Sequence, residues 1–196
     1  MPSVRSLVVA AIPDGVAFRD AAASDADAVA ALHADSWRRF YRGAYSDEFL
    51  DGDVLADRQS VWSARLQQPS IATRTLVATT SDEGLVGFVH MVLDENPTWG
   101  SLVDNIHVGR VNQRRGIGSQ LIVRAAAVVA EAAVASGLYL WVLEQNTNAQ
   151  AFYQRHGATC AEKTTVQPPN GVHTRLNGSP MKLRYVWTDA RDVYPR

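Results

Sequence analysis

The sequence predicts an α/β (α+β) chain built on a mixed, mostly antiparallel sheet of about six to seven strands flanked by helices. Three observations predict it. Ile71–Thr80, Leu85–Leu93 and Trp99–Val108 are apolar runs separated by turn residues, Ser81-Asp82-Glu83-Gly84 and Asn96-Pro97, and read as a meander. Ile117–Ser136 follows, with Leu121, Ala125, Val128 and Ala132 at helical spacing and Gln120, Arg124 and Glu131 opposite them. Leu138–Leu143 is then a short continuous apolar run, the mark of a buried strand. A strand, a helix and a second buried strand make a β-α-β crossover, so one parallel pair is expected in the sheet.

The remaining elements fall in order around that centre. Pro13-Asp14-Gly15 is a turn and Val16–Arg19 a first strand. A helix begins at Ser24, read as its N-cap, and carries Val29, Leu32, His33, Ser36, Trp37 and Phe40 before Gly43 ends it. Ser46-Asp47-Glu48 starts a second helical stretch, interrupted near Gly52 and running to about Gln67. Gly137 is read as the C-cap of the crossover helix. Asn146-Thr147-Asn148 caps a short helix, Ala149–His156, ended by Gly157. Ala158–Val166 and Met181–Trp187 are a final pair of strands, joined by a Pro/Gly/Asn-rich loop at 168–180. Residues 1–15 read as a tail or extra edge element, 16–187 as one domain and 188–196 as a polar C-terminal tail.

Composition narrows the function classes. With 196 residues, 46% of them hydrophobic, the chain can bury one domain core. A net charge of −1 lacks the field of a non-specific nucleic-acid binder. The single cysteine, Cys160, excludes an internal disulfide and fits a reducing compartment; with no base beside it, it reads as a small apolar filler. Ile117–Ser136 is interrupted by polar residues, so no membrane span is expected. Ser6–Pro13 is short for a signal-peptide core, and a cytoplasmic protein is the expectation. No metal is called for.

Charge is concentrated where the meander meets the crossover helix. Gln113-Arg114-Arg115-Gly116-Ile117-Gly118 places a glycine turn and two arginines at a helix N-terminus, where free N–H groups and the helix dipole favour an anion. The sixth position of a dinucleotide fingerprint holds Leu121 rather than glycine, and no Gly-Lys-Ser/Thr is present, so neither a dinucleotide nor a triphosphate loop fits. A pyrophosphate site is one reading of the turn, and a plain helix entry is the other.

These residues carry a family resemblance. The turn matches Gln/Arg-x-x-Gly-x-Gly/Ala, and Asn146-Thr147-Asn148-Ala149-Gln150-Ala151-Phe152-Tyr153 matches Asn-x-x-Ala-x-x-Phe/Leu-Tyr, one helix and one strand later. Over about 16–187 the chain resembles the GNAT superfamily of acyl-CoA-dependent N-acetyltransferases. Two departures are visible: Gly109-Arg110-Val111-Asn112 stands where a proline is usual, and Ala158 where a phenylalanine is usual.

The resemblance implies acetyl-CoA as cofactor. Its pyrophosphate would lie on the backbone from Gln113 and Arg114 through Arg115, Gly116, Ile117 and Gly118 to Ser119. Its pantetheine arm would pair with the main chain of Ile106, His107 and Val108, a main-chain N–H there polarising the thioester carbonyl. Asn146, Ala149 and Phe152 would flank the arm. Tyr153 would protonate the departing thiolate. An amine of pKa ~10 must lose a proton before it attacks, and Asp104, Glu144, His90 and His107 are the candidate bases, with a water chain as the alternative. Trp37, Tyr41 and Tyr45 are candidates for the acceptor pocket, although core packing also accounts for Trp37. The expected acceptor is the primary amine of a small molecule, attacking directly in a ternary complex. A protein or peptide acceptor and a non-catalytic coenzyme A sensor are the alternatives. A homodimer through the last strand is a further expectation.

Overall fold

The computed structural model describes residues 13–194. The reading of residues 1–12 as a tail therefore lies outside the described residues. Among the described residues seven strands form one sheet: β1 (Val16–Asp20), β2 (Thr73–Thr80), β3 (Gly84–Asn96), β4 (Gly100–Val108), β5 (Leu138–Leu143), β6 (Thr159–Thr165) and β7 (Met181–Trp187). Their spatial order is β1-β2-β3-β4-β5-β7-β6. Every neighbouring pair is antiparallel except β4 and β5, the pair the crossover requires.

Among the described residues five α-helices accompany the sheet: α1 (Ala26–Phe40), α2 (Asp47–Asp51), α3 (Val54–Gln67), α4 (Ile117–Ala132) and α5 (Thr147–Arg155). The period of two along the strands divides the core. Val77 and Phe88 pack with Val29, Ala30 and Trp62 of α1 and α3. Their chain neighbours Ala78 and Val89 pack with Leu121, Ile122 and Ala125 of α4. Covered on both faces, β3 is buried without a break from Val86 to Met91, which is why its sequence does not alternate.

Local chemistry sets several boundaries. Ser46 Oγ accepts from the Phe49 N–H and starts α2, and Gly52 separates α2 from α3 as the sequence predicts. Ser24 is not a cap. The chain enters α1 through a 3-10 turn at Ala23–Asp25, held by Asp25, whose carboxylate accepts from Ala22 N at 2.8 Å and pairs with Arg19 at 2.7 Å. The guanidinium holds the Asp25 carboxyl below its ordinary range.

α4 ends at Ala132, four residues short of the predicted end, and its C-cap is Ala133. Asp94 receives the next two amides, Val134 N at 2.9 Å and Ala135 N at 2.8 Å, in place of helical carbonyls. Gly137 instead serves a chain crossing: a Cβ there would lie 2.7 Å from the Trp99 carbonyl oxygen, and one on Gly100 would lie 2.2 Å from the Gly137 oxygen. Gln120 is also buried, not on the outer face. The stretch after β7 returns to the core, with Ala190 and Val193 buried and Ala190 N bonded to Ser136 O at 2.7 Å.

The loop between β6 and β7 docks on the α1–α2 connection. Asn177 N donates to Ala44 O at 2.9 Å, Ser46 N donates to Arg175 O at 3.0 Å, and Tyr45 bridges Leu176.

Candidate active site

The site begins where the parallel pair stops. β4 and β5 are hydrogen-bonded only over Ser101–Val103 and Leu138–Leu140. At the next residue β4 carries a bulge: His90 of β3 faces Asn105, Met91 faces Val103, and Asp104 is the additional residue. A bulge bends its strand and raises the local twist. From Asp104 to Val108, β4 pairs with β3 alone, so its other main-chain edge is open. A cleft of 690 Å³ fills the fork between β4 and β5.

The N-terminus of α4 closes one end of this cleft. Gly116 is its N-cap at φ +83°, where a side chain would be strained, and Arg114 also has a positive φ of +61°. A side chain on Gly118 would fill the gap above Phe152, 3.6 Å away. The first amides of α4 have no helical acceptor and face the cleft mouth with the positive end of the helix dipole. Gln113 Nε2 donates to Val108 O at 3.2 Å, pinning the turn to β4. Of the two arginines, Arg114 lines the cleft, whereas Arg115 donates to Asn112 Oδ1 at 2.6 Å. The Ile117 side chain is buried in the core.

α5 forms the opposite wall. Asn146 Oδ1 accepts from Ala149 N at 3.2 Å and starts it. Asn146, Ala149, Phe152 and Tyr153 all line the cleft. Tyr153 is buried, and desolvation pushes its hydroxyl well above the ordinary tyrosine value. It therefore holds its proton at neutral pH.

The four candidate bases separate in space. Asp104 lines the cleft, and its Oδ2 accepts from Arg65 at 2.7 Å and Asn105 at 2.6 Å. His107 also lines it, with Nδ1 2.8 Å from Ser36 Oγ. Burial lowers His107 to about 3, so its ring is neutral at pH 7. His90 lies behind the wall, its Nδ1 2.7 Å from Thr75 Oγ1, and burial lowers it to about 4. Glu144 lies outside the cleft and pairs with Lys163 at 2.5 Å.

The aromatic segment of α1 separates likewise. Tyr41 lines the cleft and stacks on Trp37 at 5.1 Å and 18°, with its hydroxyl raised to about 12 by burial. Trp37 and Tyr45 are buried behind it, Tyr45 edge-on to both rings. Arg39 and Arg42 spend their charge on exposed pairs with Asp35, Asp47 and Asp51.

A family model for the acetyltransferase (GNAT) family matches residues 30–158, from within α1 through the cleft to just past α5. The chain belongs to the GNAT family of acetyltransferases. Membership brings acetyltransferase activity with acetyl-CoA as the acyl donor. Among curated proteins, it is similar to the uncharacterized N-acetyltransferase YuaI of Bacillus subtilis, 24% identical over 72% of this chain and 79% of that one. It is also similar to the probable N-acetyltransferase Rv2775 of Mycobacterium tuberculosis, 24% identical over 82% and 90%. Among solved structures, PaiA N-acetyltransferase from Thermoplasma acidophilum in complex with coenzyme A superposes with a TM-score of 0.66, at 18% identity, covering 88% of this chain and 99% of that one. Arabidopsis thaliana NAA60 in complex with acetyl-CoA gives 0.62, at 18% identity, covering 88% and 97%. These likenesses place the GNAT fold over most of the chain.

Several residues of the GNAT cleft went unremarked as site residues in the sequence. Ser36 breaks the apolar stripe of α1 and lines the cleft beside His107, and that interruption was the available signal. Trp141 and Arg155 also line it, one from a strand that reads as core and one at a helix end that reads as solvated. His156 bonds Ser119 Oγ through Nε2 at 3.0 Å, joining the end of α5 to the start of α4.

Proposed function

We propose that this GNAT enzyme transfers the acetyl group of acetyl-CoA to the primary amine of a small molecule, with both held in the cleft at once. The observation that carries the reading is the open edge of β4 beside the N-terminus of α4, in a cleft that Tyr153 also lines. The donor fits the residues present. Free amides of α4 and the Arg114 guanidinium suit a pyrophosphate, and main-chain groups of Ile106–Val108 can pair with an amide-bearing arm as an added strand would. Asn146, Ala149 and Phe152 flank that arm. When bound, acetyl-CoA supplies an activated acyl group on a sulfur that leaves as a thiolate.

The chain's own groups manage the protons. Tyr153 Oη keeps a proton in the cleft for the leaving sulfur. Asp104 is the carboxylate at the cleft wall for the proton of the attacking amine, with Arg65 fixing its Oδ2. The neutral His107–Ser36 pair offers a second polar contact beside it.

A small acceptor is favoured over a polypeptide because the 168–180 loop is hydrogen-bonded onto the α1–α2 connection instead of standing away from it. Among the described residues no helix is long and apolar enough to cross a membrane. Cys160 is free, and a cytoplasmic setting is part of this reading.

Calorimetric titration with acetyl-CoA, followed by a thiol-release screen over amines, polyamines, amino acids and short peptides, tests it. Binding with thiol release on a small amine is expected. Release on peptides alone would overturn the small-molecule acceptor, and binding without release on any amine would overturn the enzyme.

A further inference from the structure

One carboxylate joins the β6–β7 loop to the acceptor wall. The Asp57 side chain is 4% exposed and lies between two guanidinium groups. Its Oδ2 accepts from Arg58 Nε at 3.0 Å and also from Arg58 Nη2. Its Oδ1 accepts from Arg175 Nη1 at 2.6 Å and from Asn170 Nδ2 at 2.7 Å, both on the loop. Four donors saturate the two oxygens, which is what a buried carboxylate requires.

The contacts continue from Asp57 to the cleft. The Arg58 guanidinium lies 4.3 Å above the Trp37 ring, and Trp37 stacks on Tyr41, the ring that lines the cleft. On the loop side, Arg175 lies 4.4 Å above Phe49, which packs against Trp37 at 6.3 Å. Loop, carboxylate, guanidinium, indole and phenol thus form one stack. Cation–aromatic contacts of this kind are strongest where water is excluded.

We propose that Asp57 is a positioning residue for the acceptor: it latches the 168–180 loop to α3 and, through Arg58 and Trp37, fixes the Tyr41 ring at the cleft wall. The proposal rests on the acetyltransferase reading above and deepens it. The loop bears on which amine fits through the Tyr41 ring, and neither Arg114 nor the N-terminus of α4 belongs to the stack.

Asp57→Asn tests the latch. Its KM for the amine is expected to rise about tenfold or more with kcat changed less, while calorimetric affinity for acetyl-CoA stays at the wild-type value. Hydrogen exchange at the Ser46 and Asn177 amides, protected in the wild type by Arg175 O and Ala44 O, should accelerate. Asn170→Ala and Arg175→Met act from the loop and carry the test if Asp57→Asn does not fold; they should move the same two readouts in the same direction. The latch is overturned if these amides stay protected, or if they open and the amine KM does not move. It is also overturned if amine KM and acetyl-CoA affinity weaken together. Failure of the wild type to bind acetyl-CoA would instead refute the underlying reading, and the exchange measurement would still decide the latch.

Discussion

Val103 and Leu140 are the last hydrogen-bonded partners of the parallel strands β4 and β5, and the bulge at Asp104 follows Val103 directly. The bulge re-aims β4 and leaves the strand edge at Ile106–Val108 unpaired beside β5. A sheet edge inside a domain is a row of donors and acceptors open to an added strand, which is the geometry an extended ligand would need.

Removing the Tyr153 hydroxyl should separate chemistry from binding. Tyr153→Phe is expected to lower kcat about 10²-fold and leave acetyl-CoA affinity nearly unchanged. Because burial raises the Tyr153 hydroxyl, its proton is present at neutral pH and is retained further into alkaline solution than a free tyrosine's. The wild-type rate should therefore show no alkaline fall from this group at or below pH ~10. Unchanged turnover in the phenylalanine variant would remove Tyr153 from the mechanism.

The glycine turn makes a different prediction. Gly116→Ala forces a side chain into the left-handed region at φ +83°, a cost of about 1–2 kcal/mol. Thermal unfolding should show that loss, and calorimetry should show weaker acetyl-CoA binding. Arg114→Ala should weaken binding without moving the melting temperature, since Arg114 is exposed at the cleft mouth. A melting temperature that falls in Arg114→Ala would count against its role as a coenzyme contact.

Three histidines predict an acid-labile fold. His33 and His90 are buried and His107 partly so, and desolvation lowers all three, His90 to about 4 and His107 to about 3. Below about pH 6.5 the unfolded chain takes up protons there that the folded chain refuses. Their contribution is complete above that pH and is lost as acid is added toward the folded values. Each histidine adds a slope of up to about 1.4 kcal/mol per pH unit. His90→Gln, which keeps a partner for Thr75, should reduce the steepness between pH 6.5 and 5 by about a third. Denaturant melts across that range measure it, and an unchanged slope would mean that His90 is protonated in the folded chain.

What was legible in the sequence is what is encoded locally. The Ser46 cap, the turn before β3, the buried run of β5 and the Asn146 cap depend on residues within a few positions of each other. Gly137 shows the limit. It sits where a C-cap glycine would sit, but its reason is Trp99, distant in sequence, whose carbonyl leaves no space for a Cβ. Gly137→Ala should accordingly destabilise by about 2 kcal/mol or more, well beyond the loss of an ordinary surface cap, as urea melts would show. The bulge at Asp104 and the Asp57 stack are hidden for the same reason. Each is defined by partners on other elements, and neither residue type nor spacing marks them.

His156 gives the cleft its last constraint. Its Nδ1 lies 2.8 Å from the Phe152 carbonyl, which can only accept, so Nδ1 carries the proton. Nε2 lies 3.0 Å from the Ser119 hydroxyl, which can donate or accept there. The His156 carbonyl in turn accepts from Trp187 Nε1 at 2.8 Å. Together these bonds fix the start of α4, the end of α5 and β7 to one another, and so set the separation of the two cleft walls. Ser119→Ala and His156→Leu each remove one end of this hydrogen bond, at about 0.5–1.5 kcal/mol. The double variant removes both ends of the bond and should cost less than the sum. Acetyl-CoA affinity should weaken in both single variants, since Ser119 lies on the helix end that faces the cleft. Strictly additive losses across the cycle would show that the two residues do not act through their hydrogen bond.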